Sequence, residues 1–525
     1  MNYGTRTSEV QSAEQDWIAA ACRWLGFSTT ADVPESLLAP LKTAGGPDLE
    51  TFLNIVSANF GQLSSGALRL RQMMQQVAVR LNQLVREESP DVAVISPEIL
   101  VRLADMLSAI DEIAAAHCLQ MLAMQPDEES IDALAAALTE QTPEQLQAVA
   151  IALSPLWQLD GSLLELFFDR LGDGFLHPAT MSALLDLANY STRTGRLPIH
   201  PYARRVDELL SLLGNLTHRL SLMEENPVKF GDDVESIQKV LGESVALTVS
   251  LCDALGLIGD KQATEKLNKT LALSHRRLQT EAASALARLG DATGKQRLIE
   301  LAEDRVARLR AVTYAEEMGF AEEIAADLRL PQSMAEAELA SWLASGDRFG
   351  VAPHEMELFD SRTQYWPSFE EPRDCYLFRY TYILPTGQLS NIGIAGPLTS
   401  AFNSDLANLP PDDIYAVFAG WQAEHDDIFE VPEALLNRDQ RRETDRLIRS
   451  LQERECEVKQ ILALTFFLGE IALLAIIEHE GKRMHAVTDG HELLCYPASD
   501  HPTALTPDLV LSIFRGRKLL RTFNQ

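Results

Sequence analysis

Six of the eleven histidines lie beyond residue 350: His354, His425, His479, His485, His491 and His501. Imidazole beside carboxylate is the chemistry of metal binding and proton transfer. Two runs place these groups together, EHDD at 424–427 and EHEG at 478–481. Neither offers two histidines four residues apart, the helical spacing at which both would reach one ion. These histidines are therefore read as ordinary surface and strand residues, and no metal or cofactor is expected. Cys375 falls among aromatics on an expected strand with no identifiable base, so it is read as structural. Neither a GxxxxGK[ST] loop nor a GxSxG elbow occurs. The glycines of NIGIAGP (391–397) are read as a bulge or a close helix–strand contact rather than a phosphate-binding turn.

Charge offers more. The chain carries 76 acidic against 45 basic residues, a formal net charge of −31. Such a protein repels phosphate backbones, so nucleic acid is not an expected partner. Against that background, residues 261–310 hold eleven Lys/Arg and six Asp/Glu, and the next thirty residues hold one base and seven acids. Lys266, Lys269, Lys295 and Arg297 fall on the expected second helices of two successive helix pairs, where their charges add up along one groove. They are the candidate partner-binding residues, suited to an acidic protein segment.

The elements that must position them are helices. From Ala13 to Ala344 apolar residues recur at three and four positions, as in SIDALAAALTEQ, with Ile131, Leu134, Ala135 and Leu138 on one face. TPEQ (142–145) carries a helix-start pattern, with Thr142 as cap and Pro143 at the first helical position. Two irregular stretches, 191–201 and 225–233, are read as hinges. ALGLIGD (254–260) and ALARLGD (285–291) repeat 31 residues apart. Gly259, Gly290 and Gly319 are expected to end helices in the left-handed conformation, with Asp260 and Asp291 capping the next. Small residues such as Ala282, Ala283 and Ala285 let neighbouring helices approach closely.

These repeats resemble HEAT-type repeats, in particular the short kind of phycobilisome-lyase-like proteins. The likeness is clearest over 245–320. It implies an α-solenoid in which each helix pair is stabilised by its neighbours. The family often carries Val-Arg near the start of its first helix; only Arg308 matches that arginine here, and such arginines are structural. Deoxyhypusine hydroxylase, a HEAT-built enzyme, holds iron with His-Glu pairs on its repeats. The pairs here, beginning at His354, His479 and His491, all fall outside the repeats.

Beyond Ser345 the pattern changes. Residues 346–373 read as a Pro-rich aromatic linker in which Tyr365, Trp366 and Phe369 are expected to join the solenoid to the C-terminal domain. In DCYLFRYTYIL, Tyr376, Phe378, Tyr380 and Tyr382 alternate as on a strand. PTGQ and LSNIGIAG read as a turn and a returning strand. Pro411 and Asp412 start a helix, a charged helix comes next over 432–460, and TPDLVLSIFRG is a capped final helix. The apolar run 461–477 contains Glu470 and is read as strands rather than a membrane span.

The expectation is thus a mainly α protein: an N-terminal helical region (1–125), a HEAT-like α-solenoid (126–345), the linker, and a C-terminal α+β domain (374–525). Six scattered cysteines without a C-x-x-C pair, and no basic-then-apolar start, suggest a cytoplasmic protein without disulfides. The expected function is a non-enzymatic scaffold or adaptor that binds protein partners and neither nucleic acid nor membrane. The alternative, from the repeat resemblance, is an enzymatic or ligand-binding C-terminal domain with bilin lyase-like activity, targeted by the solenoid.

Overall fold

The computed structural model describes residues 17–26, 32–63, 66–87, 95–172, 177–231, 233–345, 348–385, 387–423, 429–467 and 469–524. His425 and the EHDD run lie outside them. The chain is mainly helical with a C-terminal region of antiparallel sheets, and it divides into two compact units, Met1–Leu298 and Ile299–Gln525.

The first unit comprises α1 (17–26), α2 (Glu35–Leu41), α3 (Gly46–Ala58), α4 (Phe60–Leu63), α5 (Ala67–Arg86), α6 (Pro97–Ser108), α7 (Glu112–Met124) and α8 (Glu128–Glu140). It continues with α9 (Leu146–Leu153), α10 (Gly161–Leu171), α11 (Pro178–Arg193), α12 (Val206–Glu225), α13 (Val234–Ile258), α14 (Thr264–Leu271), α15 (Arg276–Arg288) and α16 (Ala292–Leu301), the last spanning the division. Aspartates begin many of these helices. Asp111, Asp127, Asp160 and Asp233 accept hydrogen bonds from first-turn N–H groups of α7, α8, α10 and α13.

Helices pack on the next helix, as α6 does on α7 and α14 on α15, and also in two rows that skip a neighbour. In one row α5 meets α7, α7 meets α9, α9 meets α11, α11 meets α13 and α13 meets α15. In a second row α3 meets α6, α6 meets α8, α8 meets α10 and α12 meets α14, with a 3-10 turn at Pro201–Arg205 between α10 and α12. Small residues set the separation. A Cβ on Gly256 of α13 would stand 2.9 Å from Ala285 Cα on α15.

The glycine pattern holds, with φ of 81° at Gly259, 80° at Gly290 and 76° at Gly319. Asp260 and Asp291 accept from the N–H groups of Gln262 and Thr293. The TPEQ start does not hold. Thr142 Oγ1 donates back to Leu138 O at 2.9 Å, finishing α8, and α9 begins only at Leu146. The Glu112 carboxylate of α7 reaches the N–H groups of Glu144 and Gln145, so a neighbouring helix does the capping expected of Thr142.

The 25-residue α13 has the length and apolar content of a membrane span, but 61% of its most apolar window is buried, against α11, α12 and α15. The run 461–477 is a hairpin of two strands, as expected.

The second unit adds α17 (Arg305–Glu317) and α18 (Pro331–Leu343), then β1 (Glu355–Gln364), β2 (Arg373–Leu384), β3 (Gly387–Ala395), β4 (Ser400–Ala401) and α19 (Pro411–Gln422). It ends with β5 (Phe429–Pro432), α20 (Arg438–Gln452), β6 (Glu457–Phe467), β7 (Glu470–His479), β8 (Lys482–Thr488), β9 (Leu493–Pro497) and α21 (Pro507–Phe523). The strands form two antiparallel meanders, β1 to β4 and β5 to β9. Strand β1 corrects the reading of 346–373 as linker: ten of those residues are an edge strand paired with β2. EMELFDSRTQ has only Met356 buried, so the alternation that betrays a strand is missing.

α19 and α21 share a core with one face of each sheet, including Leu377, Ile394, Leu474 and Val487. α18 covers the other face of the first sheet, on Phe378, Tyr380 and Tyr382, and α20 covers the other face of the second, on Leu473 and Ile477. The order helix, four strands, helix therefore occurs twice. The closing helices also match in sequence, PDDIYAVFAG at 411–420 and PDLVLSIFRG at 507–516. They cross at their glycines. A Cβ on Gly420 would lie 1.9 Å from Ser512 O, and one on Gly516 would lie 1.8 Å from Ala416 O.

Candidate functional site

A cleft of about 1020 Å³ lies between α6 and α8 of the first unit. Its form follows from small side chains. Ala104 on α6, Ala133 and Ala137 on α8, and Ala115 and Ala116 on α7 leave open space where larger residues would meet. Ala115, Ala116 and Leu119 are buried and form an apolar floor. The rim is acidic. Glu98, Asp105, Asp111, Glu112, Glu129, Glu140 and Glu144 line the cleft, against two cations, Arg71 and Arg102.

Three of these carboxylates have structural partners. Asp111 caps α7 and holds the Arg71 guanidinium at 2.7 Å. Glu112 caps the segment before α9. Asp105 accepts from Gln141 Nε2. Among the described residues, Glu98, Glu129, Glu140 and Glu144 have no ion-pair partner, and all four are exposed. The single-letter pattern contains this site, since Glu98 and Asp105 are seven apart and Glu129 and Glu140 eleven apart. Acids are so abundant in the chain that the spacing carried no signal.

A second cleft, of about 450 Å³, lies between α12 and α14 and is lined by Gly214, Thr217, His218, Ser221, Lys266 and Lys269, among others. Thr217 Oγ1 and Thr270 Oγ1 share a buried hydrogen bond of 2.8 Å between the helices. Lys266 lies across Gly214, with its Nζ 3.0 Å from where a Cβ would be. Lys269 pairs with Glu265 at 2.7 Å, an exposed i,i+4 contact that holds the cation only weakly. The structure thus brings Lys266 and Lys269 together with His218. Lys295 and Arg297 stand on α16 and do not line this cleft; Arg297 donates to Gln279 Oε1 on α15 at 3.0 Å. A third cleft, of about 480 Å³, lies between α3 and α6.

The aromatic residues of 346–373 are held within the second unit. Trp366 is 1% exposed and its Nε1 donates to Gln422 Oε1 of α19 at 2.5 Å. Phe369 packs on the same core beneath the Arg373 guanidinium. The Tyr365 N–H donates to Asn524 Oδ1, just past α21. Arg308 is likewise structural, 5% exposed and bound to Ala302 O, Ser333 O and Glu336.

Three of the C-terminal histidines make local contacts. His354 Nδ1 accepts from the Ile383 N–H, and His501 Nδ1 meets Thr503 Oγ1. His479 Nδ1 lies 3.5 Å from Cys456 Sγ, a thiol–imidazole contact. Burial raises the Cys456 thiol, and it pushes Cys375 and Cys495 up to about 11, opposite to what a nucleophile needs. Among the described residues no three of His, Cys, Asp and Glu converge to hold a metal ion. The glycines of 391–397 make close contacts, Gly393 against Leu339 of α18 and Gly396 against Asp374 O. Comparison of the chain with protein-family models, with curated proteins and with solved structures finds no match.

Proposed function

We propose that the chain is a non-enzymatic scaffold that binds protein partners along a HEAT-like α-solenoid, with the array reaching upstream of residue 126 to α3. One observation carries this reading. Among the described residues, three clefts lie between consecutive helices of the second row, α3 and α6, α6 and α8, α12 and α14. Stacked helix pairs present such a row as an extended binding surface. Within it, Lys266 and Lys269 are the groups for an acidic partner segment, with Lys295 and Arg297 extending the cationic surface onto the next helix. Six unpaired thiols support a reducing, cytoplasmic setting. The raised Cys375, Cys456 and Cys495 thiols lend no support to the alternative of an enzymatic C-terminal domain.

The test is charge reversal of Lys266, Lys269, Lys295 and Arg297 to glutamate in the intact chain, followed by affinity capture from the native extract. A melting temperature matched to the wild type secures the comparison. Loss of acidic partners is the expected result; an unchanged set of captured proteins would refute the groove.

A further inference from the structure

We infer that the α6–α8 cleft is a second docking site, of opposite polarity, for a basic polypeptide segment with a short apolar centre. The inference is independent of the α12–α14 reading. Three features define the occupant. The floor of Ala115, Ala116 and Leu119, with Val101 and Ala133 beside it, takes apolar side chains and excludes large ones. Both walls place acids at the ends of an apolar stretch: Glu98, Val101, Ala104 and Asp105 along α6, and Glu129, Ala133, Ala137 and Glu140 along α8. At 1.5 Å per residue those acids stand roughly 10 Å apart on α6 and roughly 16 Å apart on α8. A segment that matches them carries Lys or Arg at both ends and alanine- or leucine-sized residues between.

The charge argument is local as well as global. Seven carboxylates face two guanidiniums, and Arg71 is already held by Asp111. Glu98, Glu129, Glu140 and Glu144, exposed and without ion-pair partners among the described residues, are therefore available to an incoming cation. Charge complementarity of this kind speeds encounter and fixes register, while the apolar floor supplies the contact that distinguishes one basic segment from another. The cleft volume stands at the upper end of the range for small-molecule sites, which favours several side chains over one small cation.

The test uses the full chain and a fluorescent peptide with two lysines at each end of an alanine–leucine core about eight residues long. Anisotropy gives its affinity for the wild type, for Glu98→Gln/Glu129→Gln/Glu140→Gln, and for Ala133→Phe, which fills the floor without changing charge. Controls are a peptide of the same composition with the lysines clustered at one end, and spermine as a competitor. We expect the charge variant and the filled variant each to weaken binding at least about tenfold. The clustered peptide should bind more weakly, and spermine should displace the matched peptide poorly. Equal binding of both peptides, or displacement by spermine at matched charge, would show only a cation atmosphere and overturn the inference. So would binding that survives the glutamine substitutions. If Ala133→Phe fails to fold, the glutamine variant, whose exposed positions tolerate the change, decides alone.

Discussion

His200 is 3% exposed and uses both ring nitrogens. Nε2 meets Asn189 Oδ1 at 3.0 Å, and Nδ1 accepts from the Tyr202 N–H at 3.2 Å. The ring is thus neutral, with its proton on Nε2, and Asn189 passes the link to Ser250 O on α13. Burial lowers its pKa from 6.5 to about 4. Between those values the unfolded chain binds a proton that the folded chain refuses, so stability rises with pH there. The contribution is complete above pH 6.5 and is lost as pH falls toward 4, a swing of about 3 kcal/mol at 1.36 kcal/mol per unit. Urea unfolding at pH 7.5 and 5 should show a smaller loss in His200→Gln than in the wild type; equal losses would refute the assignment. Stretch 191–201 reads as a hinge in sequence because glycine, proline and polar residues crowd it. In the structure this histidine, and the Leu197 N–H bond to Ser191 O, pin it. Nothing in the letters distinguishes a buried histidine from a solvated one.

At the scale of elements, the crossing of α19 and α21 depends on two glycines. Gly420→Ala or Gly516→Ala would drive a methyl group into a carbonyl oxygen of the facing helix. We expect each to cost about 3 kcal/mol, the upper range for overpacking. Gly290→Ala, at φ 80° with open space around it, should cost about 1–2 kcal/mol from backbone strain alone. Thermal unfolding of the three variants checks the order, and equal losses would mean the helices can separate freely. Helices and apolar hairpins were legible because their periodicity is strong: 411–422 and 470–479 fall where the pattern puts them, whereas the charged helix expected over 432–460 spans only Arg438–Gln452 and yields to β6 at Glu457, whose exposed first residues lack apolar alternation. The edge strand β1 was not legible, because only Met356 is buried along it and the remaining positions, mostly polar, show no alternation. The duplicated PD…F-x-G segment was present in the letters, but its meaning emerges only when both copies are seen packed face to face.

For the whole molecule, the repeat of Gly-Asp helix ends marked where helices end around 259 and 290 but not how far the rows of helix contacts reach. Upstream of residue 126 the helices α3, α5, α6 and α7 join the same two rows of contacts without that Gly-Asp signature; α7, for example, starts on Asp111 and ends at Gln125 without a glycine. The candidate site was half legible. The basic run around Lys266 and Lys269 stands out against a charge of −31, whereas the acidic cleft at α6 and α8 is invisible against the same background. Where clefts open depends on which small residues face one another across helices, and that is fixed by packing, not by composition. The scaffold reading is tested most directly by cross-linking mass spectrometry of the intact chain with the proteins it captures. The account predicts partner cross-links on α3, α6, α8, α12, α14 and α16. Cross-links concentrated on α9, α11 and α13, or on the two sheets, would contradict it.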